Sequence, residues 1–340
     1  MDLAYIRRVL GGASFKKAAA AIDAIHKKTG KSKAGIALDM ASCLARYGAG
    51  YKDYEIFEFY AMDAQQRATY MTRLKNRNMV VSLNDQSYSY IFDQKNIFDE
   101  YFRDFLGREV LDLAKTDFAV FERFFAENEF FFAKPNSGES GKGIEKLKTT
   151  DFADAQAAWT YVNDPLKHFG VLEQPIVQHE AASRIYPCAV NCFRIVTLVW
   201  KGVPYIIYAV FKMGDGGRFI DNLDNGGVCC HFDLDKGEIS GPGHTQRLVC
   251  YDAHPYTHIP FVGYKLPYMD EIKALVKKAA LVVPQIKYVG WDVCLTPTGP
   301  ILIEGNDFSG YDFPQLPDAD KPRVGYIGLI KSVIPDFDLL

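Results

Sequence analysis

The sequence predicts an α+β fold in which an N-terminal helical region precedes a mixed, catalytic-type part. Three observations predict it. The first 80 residues are rich in helix formers and punctuated by glycines. After residue 165, short β-type runs dominate, separated by Gly, Pro, Asn and Asp turns. These runs follow one another directly, which points to antiparallel pairing in place of βαβ alternation.

The elements follow in order. Ala18 to Ala21, Ile22, Ala24 and Ile25 lie in a helical segment that Gly30 ends. A second helix is expected over 33–47, stopped by Gly48 and Gly50, and a third over about 63–75 with Asp63 as N-cap. None of these carries the ligand pattern of a catalytic site. Ile97, Phe98, Tyr101, Phe102 and Phe105 then recur at helical spacing. A short strand is expected at 130–133, and further strands at 170–173, 193–200, 204–211, 228–233, 289–295 and 300–304. One helix interrupts them at about 268–283, stopped near Pro284. The expected organisation is a helical region 1–90, a subdomain 91–180 with a Gly-rich loop, and a subdomain 181–340. No repeat with a 20–50-residue period is present.

Composition excludes several classes. The 340 residues carry a formal net charge of −3, with 48% hydrophobic and 24% charged residues, the balance of an ordinary globular chain and not of a disordered one. A pI near 6.2 gives no basic field for phosphate backbones, so no nucleic-acid partner is expected. No apolar run approaches the ~20 residues of a membrane span. Asp2 and the Arg7-Arg8 pair leave no room for a signal-peptide apolar core. The seven cysteines form no CxxC pair, and reduced thiols in a cytoplasmic protein are the expectation.

The first segment with chemical content runs from Phe131 to Ile144. A strand delivers Lys134, and Ser137, Gly138, Ser140, Gly141, Lys142 and Gly143 follow in a loop. Glycines let backbone N–H groups converge on an anion, and lysines add charge to it. The segment is neither a Walker A loop nor a GxGxxG fingerprint: position 136 is Asn where the first needs Gly, and position 146 is Lys where the second needs Gly. By itself the segment is equally compatible with a surface hairpin.

The second segment is Gly290-Trp291-Asp292-Val293-Cys294-Leu295, a Pro-Thr-Gly turn, and Pro300-Ile301-Leu302-Ile303-Glu304-Gly305-Asn306. Asp292 and Glu304 fall on two arms of a hairpin, and Asn306 lies two residues beyond Glu304, on the same face of an extended strand. Oxygen ligands so grouped suit Mg²⁺, which takes one or two carboxylates and completes its shell with phosphate and water. The loop from Asp221 to Gly227 does not fit an EF-hand, since its third position is Leu223.

A strand lysine before a Gly/Ser-rich loop, with Asp…Glu-x-Asn on a late hairpin, resembles the ATP-grasp superfamily. Gln178-His179, Pro187…Asn191-x-x-Arg194, Lys212-Met213-Gly214, Asp221-Asn222 and Gly226-Gly227 bring it nearest to the sugar-transfer-associated ATP-grasp proteins of polysaccharide gene clusters, over about residues 90–315. The resemblance implies an ATP-grasp fold, two α+β subdomains clasping ATP. It implies that Lys95 and Lys134 contact the nucleotide and that residues 137–143 form a lid over its phosphates. Glu173, Gln174 and Ile176 stand where such folds place the adenine hinge, Glu180 where they place the ribose-binding carboxylate, and Asn222 in a loop that contacts substrate or phosphate. Arg194 and Lys212 would face the transferring phosphate, with metal held by Asp292, Glu304 and Asn306.

The implied activity is an ATP-dependent carboxylate–amine ligase working through an acyl phosphate in polysaccharide or cell-surface glycan or peptide-conjugate biosynthesis. Its cofactors would be ATP and one or two Mg²⁺ ions, or Mn²⁺ in their place. Its partners would be a small carboxylate and an amine, drawn from amino acids, sugar acids and amino sugars; a homodimer is left open. The alternatives are a kinase on the same fold and a non-catalytic nucleotide-binding scaffold.

Overall fold

The computed structural model describes residues 13–138, 142–217, 226–246, 249–318 and 321–337. The chain forms two compact units. One runs up to Leu83 and resumes at Phe308; the other is Asn84–Asp307.

The first unit is helical. Helices Ala13–Thr29 and Lys33–Tyr47 match the expected segments, the second capped by the Ser32 hydroxyl, which accepts from the Gly35 N–H at 3.1 Å. The helix expected over 63–75 is two. Asp63 caps Ala64–Ala68 in a capping box with Gln66, and a new helix spans Arg73–Leu83. The break has a cause: the Gln315 amide accepts from the Met71 N–H at 2.7 Å and donates to the Met71 carbonyl at 3.0 Å. It thereby takes both groups that a continuous helix would use internally. Buried Tyr54, Phe57, Phe59 and Tyr70 form the core, joined by Leu316 from the C-terminal segment.

The second unit holds two antiparallel sheets. The smaller contains β1 (Val110–Asp112), β2 (Phe130–Lys134), β3 (Glu145–Lys148) and β4 (Val171–Glu173) in the order β1-β4-β2-β3. One face packs on helices Phe118–Glu127 and Ala155–Val162 through Phe121, Phe124, Phe131 and Leu172. Phe131 and Ala133 point into that core, so alternation sends Lys134 to the opposite face.

The larger sheet contains β5 (Cys192–Trp200), β6 (Val203–Met213), β7 (Val228–Asp233), β8 (Glu238–His244), β9 (Cys250–Tyr251), β10 (Tyr288–Thr296) and β11 (Gly299–Asn306). Its order is β11-β10-β5-β6-β7-β8-β9. Its core face carries Phe193, Ile195, Phe211, Trp291, Val293 and Leu302, covered by Phe98, Phe102 and the Met269–Ala279 helix through Ile272 and Val276. The α+β class and the antiparallel pairing are as the sequence predicts. Among the described residues no helix is long and apolar enough to cross a membrane. None of the seven cysteines is in a disulfide.

Candidate active site

The free face of the larger sheet gathers charged side chains. Phe193 and Ile195 enter the core, so Arg194 between them faces the other way. Register then propagates this face across the sheet: Arg194 is opposite Asp292, Asp292 is opposite Glu304, and Lys212 is opposite Cys192, two residues before Arg194. Lys212, Arg194, Asp292 and Glu304 thus form a row over β6, β5, β10 and β11.

A β-bulge completes the row. Val293 pairs with Leu302 and Asp292 with Glu304, which leaves Ile303 as an extra residue in β11. In an unbroken strand Leu302 and Glu304 would share a face, and Leu302 is in the core. The extra residue turns Glu304 and Asn306 to the Asp292 side instead. Between them Gly305 returns to the core, where a Cβ would lie 2.9 Å from the Trp291 ring and 3.0 Å from Phe92 and Phe98. Only glycine fits that approach.

The electrostatics follow from these contacts. Arg194 donates from Nε to Asp292 Oδ1 at 2.5 Å and from Nη2 to Oδ2 at 3.1 Å, and Lys212 Nζ donates to Oδ2 at 2.9 Å. Burial alone would raise the Asp292 carboxyl, but Arg194 and Lys212 outweigh it and hold it well below the usual range. Glu304 moves the other way. Crowding by the surrounding protein, and then the negative charge of Asp292, lift its carboxyl above its ordinary value, although one side of the residue is open to solvent. Asn306 Nδ2 donates to Glu304 Oε1 at 3.4 Å. Two adjacent carboxylates with an amide oxygen nearby are a hard-oxygen donor set. Asp292 keeps a free lone pair on Oδ1, since each carboxylate oxygen offers about two. The described residues hold no group of three His, Cys, Asp or Glu suited to a metal, so a divalent ion here would depend on the amide and on ligand oxygens.

The smaller sheet supplies the second half. Lys134 Nζ lies 2.7 Å from Glu173 Oε1, and Arg108 Nη2 lies 2.9 Å from Glu173 Oε2. Burial would raise Glu173, but Lys134 and Arg108 hold it at about 2. The Lys134 charge also acts on Glu304, so cations of one sheet and carboxylates of the other bear on common ground. Lys95 reaches the loop after β2: its N–H donates to the Asn136 carbonyl at 2.8 Å and its Nζ to the Gly138 carbonyl at 3.2 Å. Ser137 and Gly138 open that loop, and Lys142 and Gly143 close it, Gly143 at φ 76°. Ser140 and Gly141 fall outside the described residues, as does Asn222.

The remaining expected positions are placed as follows. Gln174 pairs with Glu109, its N–H donating to the Glu109 carbonyl at 3.0 Å and its Oε1 accepting from the Glu109 N–H at 3.2 Å. Ile176 is half-buried, and Glu180 is exposed at the start of the short Glu180–Ile185 helix. His179 caps that helix, its Nδ1 accepting from the Ala181 N–H at 3.0 Å, the hydrogen-bonded structural role ordinary for such a histidine. The residue sequence reasoning missed is Arg108. One signal existed: Glu173 ends an apolar strand, and a buried acid needs a cation.

A model of the sugar-transfer associated ATP-grasp proteins matches residues 66–321. The chain belongs to this ATP-grasp family. Among solved structures, the ATP-grasp ligase PsnB complexed with minimal precursor is similar at 16% identity and a TM-score of 0.44, over 75% of this chain and 64% of that one. D-alanyl-alanine synthetase A from Vibrio cholerae O1 biovar eltor str. N16961 is similar at 14% identity and a TM-score of 0.40, over 72% and 60%. The D-cycloserine synthetase DcsG is similar at 16% identity and a TM-score of 0.37, over 66% and 64%. The chain therefore spans less than two thirds of each of these proteins, and at such scores they add nothing to the family assignment. No curated protein matches. This ATP-grasp chain therefore carries a Lys134–Glu173–Arg108 cluster on the small sheet and a Lys212–Arg194–Asp292–Glu304 row on the large one.

Proposed function

We propose that this ATP-grasp protein is an ATP- and Mg²⁺-dependent ligase that joins a small carboxylate to an amine, in the assembly of polysaccharide or another surface glycan. The observation that carries the reading is the row Lys212, Arg194, Asp292 and Glu304 on one sheet face. Phosphoryl transfer needs positioning and charge neutralisation more than covalent help, and the row provides both signs of charge. The family's association with sugar transfer supports the glycan setting.

In this reading Lys95 and Lys134 bind nucleotide phosphates, Glu173, Gln174 and Ile176 flank the base, and Glu180 accepts from ribose hydroxyls. The loop from Ser137 to Gly143 covers the phosphates and excludes water, and Asn222 contributes from its own loop. Asp292, Glu304 and Asn306 would hold Mg²⁺, which supplies neutralisation of phosphate charge. Arg194 and Lys212 orient the carboxylate substrate and steady the charge that builds up on transfer. The substrate carboxylate oxygen attacks the γ-phosphorus and ADP leaves. The amine then attacks the acyl carbon, phosphate leaves, and the amine proton passes to solvent.

Two measurements test this. Thermal unfolding with and without Mg·ADP should show stabilisation of the wild type, lost in Glu304→Ala; no shift in the wild type overturns the nucleotide reading. A mass-spectrometric screen of carboxylate and amine pairs should find ATP-dependent condensation. Phosphorylated hydroxyl products would identify a kinase instead.

A further inference from the structure

Arg108 lies between the Arg103–Leu106 helix and β1, with its side chain 2% exposed. Its donors reach in two directions. Nε and Nη2 donate to Glu173 Oε2 at 3.1 and 2.9 Å, while Nη1 donates to the Leu302 carbonyl at 2.8 Å and the Leu106 carbonyl at 3.2 Å. Glu173 is on β4, where its other oxygen holds Lys134. Leu302 is on β11, immediately before the bulge that aims Glu304 and Asn306. One guanidinium therefore grips Glu173, which in turn holds Lys134, and the strand that carries Glu304 and Asn306.

We infer that Arg108 is a positioning residue that sets Lys134 and the Glu304–Asn306 segment in register with each other, so that nucleotide phosphates and a divalent ion are held together. The inference rests on the nucleotide reading above.

Two physical consequences support it. β11 is the edge strand of its sheet, and Arg108 donates to the carbonyl of Leu302, the residue just before the bulge, which ties that edge down where it changes face. Arg108 also shares Glu173 with Lys134, so two cations face one carboxylate. A lysine in place of Arg108 could not serve both directions, because it lacks the fork of a planar guanidinium. The surroundings are charged on every side: Asp99, from the Lys95–Tyr101 helix, interacts with Arg108, Glu173, Lys134 and Lys95, and its Oδ2 is buried without a partner among the described residues.

The test is calorimetric titration of full-length protein with ADP at several Mg²⁺ concentrations, for wild type, Arg108→Met and Arg108→Lys. The expected result is about 10- to 100-fold weaker ADP binding and a matching rise in half-saturating Mg²⁺ for Arg108→Met, with Arg108→Lys between it and the wild type. A merely structural arginine would lower the melting temperature and leave the Mg²⁺ dependence in place. A folded Arg108→Met with wild-type ADP affinity and Mg²⁺ dependence overturns the inference; if that variant does not fold, the same result from Arg108→Lys does so. Wild type that binds no ADP overturns the nucleotide reading and this inference with it, whereas binding wild type with unchanged variants overturns this inference alone.

Discussion

Arg194 and Asp292 are cross-strand partners bonded at both ends, two guanidinium nitrogens meeting two carboxylate oxygens. Arg194→Met would strip a nearly buried carboxylate of that fork and leave only Lys212 beside it. Breaking such a pair from one side costs about 3–5 kcal/mol, read as a lowered denaturation midpoint at pH 7. The acid limb should change too. Asp292 is depressed in the folded state, so its contribution is present above its ordinary value of 3.8 and lost as pH falls below it. In the variant that acid-dependent loss should shrink.

Glu304→Gln separates stability from ligand binding. Glu304 is raised in the folded state beside Asp292, so its charge works against folding as pH rises through the folded value. The neutral amide should leave the ligand-free protein at least as stable at pH 7. It should also remove the Mg²⁺-dependent part of nucleotide stabilisation, which melting curves with ADP alone and with Mg·ADP measure. A variant destabilised without ligand would contradict the electrostatic part.

Asp99 gives a pH signature of its own. Burial, and then the Glu173 charge, raise its carboxyl from 3.8 to about 7. A raised carboxyl favours folding fully below 3.8 and loses that contribution as pH climbs through 7. Asp99→Asn should therefore be more stable than wild type at pH 8, with the gap closing towards pH 4, as urea titrations across that range would reveal.

Gly305→Ala tests the packing beneath the acidic strand. The new methyl would lie within 3.0 Å of Trp291, Phe92 and Phe98. Overfilling a close-packed site typically costs about 1–3 kcal/mol, measurable as a shift in urea midpoint.

Much of this was legible in the sequence for local reasons. Lys134 reads as a site lysine because a strand precedes it and a Gly/Ser loop follows. Asp292, Glu304 and Asn306 read as a set because a Pro-Thr-Gly turn makes a hairpin of their segments. What was not legible depends on partners far along the chain. The Ile303 bulge leaves no mark in an apolar run, and the pairing of Arg194 and Lys212 with Asp292 is a matter of register among three strands. Arg108 follows Gly107 at a helix end and reads as an ordinary loop residue. Strand β8 hides behind its Gly-Pro-Gly run, and the helix break at Met71 depends on Gln315, 244 positions away.

The extra residue at Ile303 separates the number of residues in this stretch from the faces they present. Exchanging Ile303 for valine or leucine keeps the count and should be tolerated. Deleting it would remove the bulge, and strict alternation after Leu302 would keep Glu304 beside Asp292 and Gly305 beside Trp291. The acidic face is thus held by the pairing with β10, and the surplus residue could be lost without turning it.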